Sequence, residues 1–187
     1  MICGIDEAGR GPLAGPVCAG AAILPSDFPV SCLNDSKKLS PKQRESARKA
    51  ILAGATAWGV GWASHEEIDA LNILRATFLA MSRAVEAMLA AFSIPVEGLS
   101  AIVDGSQTPA LCIPCRAVIK ADGSIPEVMA ASILAKTFRD AEMERYALRY
   151  PEYGYERHKG YPTKEHRERI ARYGPSPIQR KTFKADL

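Results

Sequence analysis

The sequence has no long apolar run, and this excludes a membrane-spanning helix. Its longest uninterrupted apolar stretch, residues 17–24, has eight residues even when Gly20 is counted, whereas a bilayer crossing needs about 20. The N-terminal residues include acids at positions 6 and 7 and no basic segment ahead of an apolar one, so they lack the pattern of a secretory signal. We therefore expect a cytoplasmic protein that does not contact a membrane.

Histidine is scarce and the number of cysteines is odd, which limits the available chemistry. The three histidines, His65, His158 and His166, are predicted on surface helices or loops, so no Ser–His or Cys–His nucleophilic site is indicated. The five cysteines are expected as reduced thiols because no secretory signal is present. Cys112 and Cys115 have C-x-x-C spacing, but no second ligand pair for zinc lies nearby and a strand, not a helix, is predicted to follow. We interpret them as packing thiols.

Acidic residues are few towards the C-terminus. The formal net charge of the 187 residues is only +3, yet residues 157–184 contain nine basic and two acidic side chains. This predicts a surface that faces phosphate groups, although a solvated helix face is the alternative. The rest of the composition, 47% apolar and 24% charged, is that of one ordinary globular domain.

Apolar runs and capping signals predict strands alternating with helices. Strands are predicted at 2–6, 17–24, 58–62, 99–103 and 117–120. Helices are predicted after N-caps at Ser40, Ser64, Asn72, Ser124 and Thr163, the first with proline at N1 and glutamine at N3. Glycines alternate with large residues in the third strand, so we expect another element to pack closely against that face. Residues 176–187 are predicted to be irregular.

A glycine-rich loop joins the first two predicted strands. Its Gly9-x-Gly11-x-x-x-Gly15 spacing superficially matches a dinucleotide-binding fingerprint, which must open a helix that holds the pyrophosphate. Pro12 and Pro16 leave no room for such a helix, and the spacing is one residue too long. We reject that interpretation and expect instead that the glycines allow the backbone to approach a ligand closely.

Carboxylates stand at the ends of three predicted strands: Asp6 with Glu7, then Asp104, then Asp122. Ligands bind outside the carboxyl ends of strands in open sheets that contain parallel strands. Carboxylates gathered there would raise one another's pKa values, and hard cations such as Mg²⁺ or Mn²⁺ relieve that repulsion. An aspartate of this kind taken alone is more often a turn or cap residue, and it is the convergence of three beside a Gly-Arg-Gly loop that favours a site. Because Asp6 and Glu7 are neighbours, both can reach one site only if the strand ends or bulges there.

These residues alone predict a metal-dependent phosphoryl-transfer enzyme that acts on nucleic acid. Two metal ions about 3.5–4 Å apart would stabilise the attacking and leaving oxygens of the displacement. Two alternatives stay open: a catalytically silent module that only binds nucleic acid, and a metal-dependent phosphatase for small phosphoesters. The basic C-terminal residues fit the phosphatase poorly.

Several segments, in order along the chain, resemble the signatures of the ribonuclease HII family. They are residues 6–17 (DEAGRGPLAGPV), 35–39 (DSKKL), 72–74 (NIL), 103–105 (VDG), 130–136 (AASILAK) and 159–161 (KGY). The resemblance covers nearly the whole chain. It implies an α/β RNase H-like fold, a five-stranded mixed sheet flanked by helices, with a catalytic part at 1–140 and a helical C-terminal substrate-binding region at 141–187 in the same compact unit.

The resemblance also implies an activity. It implies metal-dependent hydrolysis of the RNA strand of RNA–DNA hybrids, and incision on the 5′ side of single ribonucleotides embedded in duplex DNA. The products would carry a 3′-hydroxyl and a 5′-phosphate. The expected partners are these nucleic acids, and the expected assembly is a monomer.

Roles for individual residues follow from the same resemblance. Two Mg²⁺ or Mn²⁺ ions would be held by Asp6, Glu7, Asp104 and Asp122. The Gly9-Arg10-Gly11 loop would read the 2′-hydroxyl, the group that distinguishes RNA from DNA, and Tyr161 would stack on the deoxyribose after the ribonucleotide. Phosphate contacts are expected from Lys37, Lys38 and Asn72.

The chain departs from the family pattern at three positions. Ala121 stands where the family usually has glycine, Met129 replaces a smaller residue, and Gln179 replaces a common histidine. We expect any effect of Ala121 to fall on its neighbour Asp122, because an added side chain would displace that carboxylate.

Overall fold

The computed structural model describes residues 1–184, and its centre is a mixed sheet of five strands. The strands are β1 (Ile2–Ala8), β2 (Val17–Ile23), β3 (Ala57–Ala63), β4 (Ser100–Asp104) and β5 (Cys115–Val118), in the spatial order β3-β2-β1-β4-β5. The first three strands pair antiparallel, whereas β4 pairs parallel to both β1 and β5. The five-stranded mixed sheet predicted from the sequence is confirmed.

Six helices surround the sheet within the described range. They are α1 (Pro41–Gly54), α2 (His65–Leu71), α3 (Ile73–Phe92), α4 (Pro126–Arg149), α5 (Tyr155–His158) and α6 (Lys164–Tyr173). Complete capping boxes begin α1 at Ser40 and α2 at Ser64. The prediction that Ser124 caps a helix is wrong: α4 is preceded by Ile125, and the Ser124 hydroxyl donates instead to the carbonyl of Lys120.

The two long helices α3 and α4 cover opposite faces of the sheet. A Cβ atom added to Gly61 of β3 would lie 2.1 Å from the carbonyl oxygen of Ala80 in α3, and one added to Gly20 of β2 would lie 2.3 Å from that of Ala131 in α4. The helix backbones therefore rest directly on strand glycines, as the alternation of large residues and glycine in β3 predicts. The core on the α3 face includes Ile5 and Met88.

The chain after α4 packs against the loop between β1 and β2. The N–H of Leu13 donates to the carbonyl of Gly160 at 2.8 Å, and the N–H of Gly15 donates to that of Ile178 at 2.9 Å. An isolated bridge joins Ala14 to Gln179. These contacts place the C-terminal segment beside the glycine-rich loop.

The structure corrects two expectations about scarce residues. His158 and His166 are buried, with their rings stacked at a centroid distance of 4.4 Å, because the turns around α5 and the start of α6 fold inward against Tyr155. All five cysteines are free, but Cys112 is exposed and so does not pack, whereas Cys115 lies partly buried at the edge of the core.

No helix among residues 1–184 combines the length and apolar character needed to span a bilayer.

Candidate active site

Asp6 and Glu7 lie side by side in β1 but face opposite sides of the sheet. Asp6 pairs with Gly20, whose missing side chain would point into α4, whereas Glu7 pairs with Ala19, which packs in the α3 core. β1 neither ends nor bulges at these two residues, since it stays paired through Ala8. Both carboxylates nevertheless lie near the same end of the sheet, because β1 ends one residue after Glu7.

The other two carboxylates come from β4 and from the turn that follows β5. Asp104 is the last residue of β4, and Ile5 of β1 pairs with its neighbour Val103, so Asp104 lies beside Asp6 in the sheet. Asp122 is not at a strand end as predicted. It lies in a short 3₁₀ turn, Ala121–Gly123, and two residues separate this turn from the end of β5. The structure thus brings all four to one end of the sheet.

Burial and nearby charges shift the pKa values of three of these carboxylates, Asp6, Glu7 and Asp104. Burial raises the pKa of Asp6, and the neighbouring Glu7 charge raises it further. Burial also raises the pKa of Glu7, against the opposing effect of Arg10. The pKa of Asp104 is raised by burial and then by the charge of Asp122. Mutual repulsion between carboxylates is the electrostatic condition that a bound cation would relieve.

Two basic side chains partly compensate this negative charge. Arg10 Nη1 lies 3.3 Å from Glu7 Oε1, and Lys37 Nζ lies 3.3 Å from Asp122 Oδ2. Both basic side chains are at least half exposed, so each pair is worth little by itself. Their positions show where positive charge is accommodated beside the carboxylates.

The donor set fits hard divalent cations in its chemistry. All four groups offer carboxylate oxygens, the ligands that Mg²⁺ and Mn²⁺ prefer, and positive charge already lies against two of them. Among residues 1–184, no three Asp, Glu, His or Cys side chains are arranged closely enough to form a ligand group. The residues therefore suit such ions chemically, while a ligand cluster requires their side chains to converge further.

A cavity of about 420 Å³ lies beside the carboxylates and contains most of the predicted substrate contacts. Its lining includes Glu7, Gly9, Arg10, Gly11, Lys37 and Tyr161. A second cavity, of about 200 Å³, opens on the α3 side and is lined by Glu7, Arg10 and Asp104 among others. Glu7 and Arg10 line both cavities, so they stand at the junction between them.

Two predicted substrate residues lie outside the lining of both cavities. Asn72 caps α3: its Oδ1 accepts hydrogen bonds from the N–H groups of Leu74 and Arg75, and its φ of 71° lies in the left-handed region. Lys38 follows Lys37 in an exposed turn. The structure therefore assigns Asn72 a structural contact, and it brings Lys37 but not Lys38 to the carboxylates.

Sequence reasoning missed several residues that line or support this cavity. Lys136 lines it and lies 6.0 Å from the centre of the Tyr161 ring. Ser36 and Ser132 hydrogen bond to each other at 2.9 Å, and Ser132 also lowers the pKa of Asp6. Lys136 and Ser132 fall within residues 130–136, a segment already noted for its resemblance, and the one-turn spacing that places both on the same face of a helix is the signal that would have found them.

Comparisons of the sequence with known proteins point to one family. A family model described as Ribonuclease HII matches residues 3–186. A protein of Treponema denticola named Ribonuclease HII is 55% identical, over 98% of this chain and 98% of its own length.

Several solved structures share this fold. Ribonuclease H2 from Pyrococcus horikoshii OT3 aligns with a TM-score of 0.71 and 28% identity, over 98% of this chain and 94% of that one. Bst-RNase HIII in complex with Mn²⁺ aligns with a TM-score of 0.75 at 19% identity, over 98% of this chain and 67% of that one, and shows likeness of fold alone. The predicted RNase H-like architecture is confirmed.

Proposed function

The chain belongs to the ribonuclease HII family, and from this premise we propose that it cleaves the RNA strand of RNA–DNA hybrids and incises duplex DNA on the 5′ side of single embedded ribonucleotides. Membership makes it a ribonuclease H, a hydrolase of phosphodiester bonds. The proposed products carry a 3′-hydroxyl and a 5′-phosphate. The proposed acting unit is a monomer in which the helical region 141–187 contributes to substrate binding.

One observation carries the proposal. A single cavity joins the carboxylate Glu7, the Gly9-Arg10-Gly11 backbone and the ring of Tyr161. A nucleic acid lying there would present a phosphate to the carboxylate end, a ribose to the glycine-rich loop and a neighbouring sugar to the aromatic ring. The lining matches a sugar–phosphate backbone better than it matches a small phosphoester, which needs no aromatic platform and no extended groove.

We propose that Asp6, Glu7, Asp104 and Asp122 hold the divalent ions. When bound, two Mg²⁺ or Mn²⁺ ions supply an activated water and neutralise the charge that develops on the phosphate. The carboxylates of the chain orient this site from β1, β4 and the turn after β5. Burial and mutual repulsion raise the pKa values of Asp6, Glu7 and Asp104, and a bound cation would relieve that repulsion.

The basic groups near the carboxylates have a second role in this proposal. Arg10 and Lys37 lie against Glu7 and Asp122, and divalent ions would replace them there. Both side chains would then be free to contact phosphate oxygens of the substrate, as would Lys136 on the other wall of the cavity. Lys38 remains a proposed phosphate contact from the adjacent turn, and Asn72 remains one only if its capping bonds open.

Tyr161 is the proposed platform for the sugar that follows the ribonucleotide. Its side chain is 39% exposed at the cavity, and its ring has the Arg139 guanidinium 5.8 Å from its centre on the protein side. The inner side of the ring therefore contacts the protein, and its outer side is accessible to a substrate. Recognition of a junction between RNA and DNA requires such a contact on the DNA side as well as a contact to the 2′-hydroxyl.

The test uses a labelled DNA duplex with one ribonucleotide, incubated with Mg²⁺, with Mn²⁺ and with chelator. The expected result is metal-dependent incision just 5′ of the ribonucleotide by the wild-type protein and none by Asp104→Asn. An all-DNA duplex of the same sequence is the matched control and stays intact. Binding without incision in either metal would identify a silent binding module, and release of phosphate from a small ester instead would identify a phosphatase.

A further inference from the structure

Arg180 is fully buried beneath the loop that joins β1 to β2, and it binds three carbonyl groups of that loop. Its Nη2 donates to the carbonyl of Gly9 at 2.6 Å, its Nη1 to that of Arg10 at 2.9 Å and its Nε to that of Gly15 at 2.9 Å. A planar guanidinium can reach carbonyls on both sides of a loop at once, which an ammonium group cannot. The loop is therefore held from below by one side chain.

These contacts fix the direction of two backbone N–H groups. In a trans peptide the C=O and the N–H of the same unit point in opposite directions, and the described chain has no cis peptide bond. With the Gly9 and Arg10 carbonyls directed at the buried guanidinium, the N–H groups of Arg10 and Gly11 must point away from it. Gly9, Arg10 and Gly11 line the cavity of about 420 Å³, so those N–H groups face the cavity side.

The third contact anchors the loop without presenting a donor. The Gly15 carbonyl belongs to the peptide unit of Pro16, which has no N–H. The N–H of Arg180 itself donates to the carbonyl of Leu13 at 2.9 Å. Arg180 is thus attached to both ends of the loop through its backbone and its side chain, and the N–H groups that its contacts orient lie at the Gly9-to-Gly11 end.

A second buried arginine extends this support to the turn that carries Tyr161. Arg139 Nε donates to the Pro16 carbonyl at 3.0 Å and its Nη1 to the Lys159 carbonyl at 3.1 Å. A Cβ atom added to Gly9 would lie 2.0 Å from Arg139 Nε, so the loop backbone rests directly on this guanidinium. The loop and the turn with Tyr161 are consequently held in one arrangement relative to each other.

We propose that Arg180 is a positioning residue for ribose recognition: it directs the N–H groups of Arg10 and Gly11 at the 2′-hydroxyl of the substrate. The inference rests on the proposed function, which requires the loop to distinguish ribose from deoxyribose. Arg180 does not touch the substrate. It acts through the two carbonyls that it draws inward, and so its loss changes the discrimination between the two sugars more than the general affinity for a duplex.

The test compares Arg180→Lys with the wild-type protein by equilibrium binding in chelator, where no cleavage occurs. Two duplexes of one sequence are used, one with a single ribonucleotide and one entirely of DNA. Lysine keeps the positive charge but cannot bind both carbonyls in the same geometry. The expected result is that the ratio of the two affinities falls by about tenfold, while the affinity for the all-DNA duplex changes little.

Arg83→Lys is the matched control. Arg83 also donates to a backbone carbonyl, that of Trp62 at 2.7 Å, but it lies on α3 and lines neither cavity of the candidate site. Its substitution should leave the affinity ratio unchanged. An unchanged ratio in a folded Arg180→Lys protein, or an equal loss of affinity for both duplexes, would overturn the proposal.

A measurement on the wild-type protein tests the N–H groups through which Arg180 is inferred to act, whether or not Arg180→Lys folds. Amide hydrogen exchange at Arg10 and Gly11 should slow when the ribonucleotide duplex is added and not when the all-DNA duplex is added. Equal exchange with both duplexes would contradict the inference. Failure of the proposed function would look different, because the wild-type protein would then show no incision at the ribonucleotide in Mg²⁺ or Mn²⁺.

Discussion

The Oδ1 atom of Asp104 accepts a hydrogen bond of 2.7 Å from the N–H of Ala121, which ties the end of β4 to the turn that carries Asp122. The position of the fourth carboxylate therefore depends on the third. Ala121 itself is fully buried against Ile102 and Val128, and the left-handed residue of this turn is Lys120, with a φ of 60°. The alanine needs no glycine-like backbone, so its methyl group is accommodated as core instead of displacing Asp122.

Asp104→Asn should abolish metal-dependent cleavage while leaving the fold intact. The asparagine oxygen can still accept from the Ala121 N–H, but the negative charge and one proposed metal ligand are lost. We expect a fall in activity of about 100-fold or more, with thermal unfolding close to that of the wild type. Asp104→Ala should lose activity and also stability, by about 1–3 kcal/mol, because it leaves the Ala121 N–H without a partner. Wild-type cleavage rates in Asp104→Asn would contradict the assignment.

Divalent metal should raise the unfolding temperature of the protein. Ions that bind only the folded state stabilise it, by about 2.7 kcal/mol when their free concentration is 100 times the dissociation constant. Thermal unfolding in Mg²⁺, in Mn²⁺ and in chelator measures the shift, and Asp104→Asn should show a smaller one. The same shift in both proteins would place the stabilising ions elsewhere.

The protein should lose stability in acid because His166 is buried as a neutral ring. Its Nδ1 lies 3.0 Å from the Tyr161 carbonyl, and burial, followed by the charge of His158, lowers its pKa to about 4. The unfolded chain takes up a proton at about pH 6.5. As the pH falls from there towards 4, only the unfolded state gains a proton, so the free energy of unfolding falls by up to about 3 kcal/mol.

His166→Phe isolates this contribution. Phenylalanine keeps an aromatic ring beside His158 and Tyr155 but cannot titrate, although it loses the bond to the Tyr161 carbonyl. The difference in unfolding free energy between wild type and variant, measured by urea denaturation from pH 7 to pH 4, should shift in favour of the variant as the pH falls. A constant difference across that range would contradict the prediction.

Gly61→Ala should be strongly destabilising because α3 lies directly on β3. The new Cβ atom would meet the Ala80 carbonyl oxygen at 2.1 Å and the Ala84 nitrogen at 2.3 Å, and both atoms belong to a helix backbone that cannot move without disturbing the core. We expect a loss of about 3 kcal/mol, measured by chemical denaturation. Gly123→Ala is the matched control, because nothing lies within 4 Å of its added Cβ, and it should change stability by less than about 0.5 kcal/mol.

Tyr161→Ala should weaken cleavage at a single ribonucleotide by about tenfold or more, because aromatic stacking contributes about 1–3 kcal/mol per contact. Tyr161→Phe keeps the ring and should retain most of the activity. The measurement is steady-state cleavage of the single-ribonucleotide duplex and of a long RNA–DNA hybrid by both variants. Equal losses in the phenylalanine and alanine variants would show that the hydroxyl, and not the ring, carries the contact.

Much of the fold follows from local pattern. Apolar runs at 2–6 and 99–103 and capping boxes at Ser40 and Ser64 correspond to real elements, because strand alternation and cap chemistry involve residues that are neighbours in sequence. The caps predicted at Asn72 and Thr163 are also confirmed, but a capping pattern does not decide every helix start. Ser124 fits a capping pattern, yet the helix begins after Ile125. The hydroxyl of Ser124 donates instead to the carbonyl of Lys120 in the preceding turn.

The candidate site likewise has features that the sequence predicts and features that depend on the tertiary structure. The sequence by itself determined which groups are candidates for the chemistry, since carboxylates at chain segments that end strands and glycines in a loop are local features. Only the tertiary structure decided that Glu7 faces α3 while Asp6 faces α4, and that Arg180 lies beneath Gly9. These relations join residues as far as 171 positions apart. They depend on the pairing of strands and the packing of helices, which no local pattern specifies.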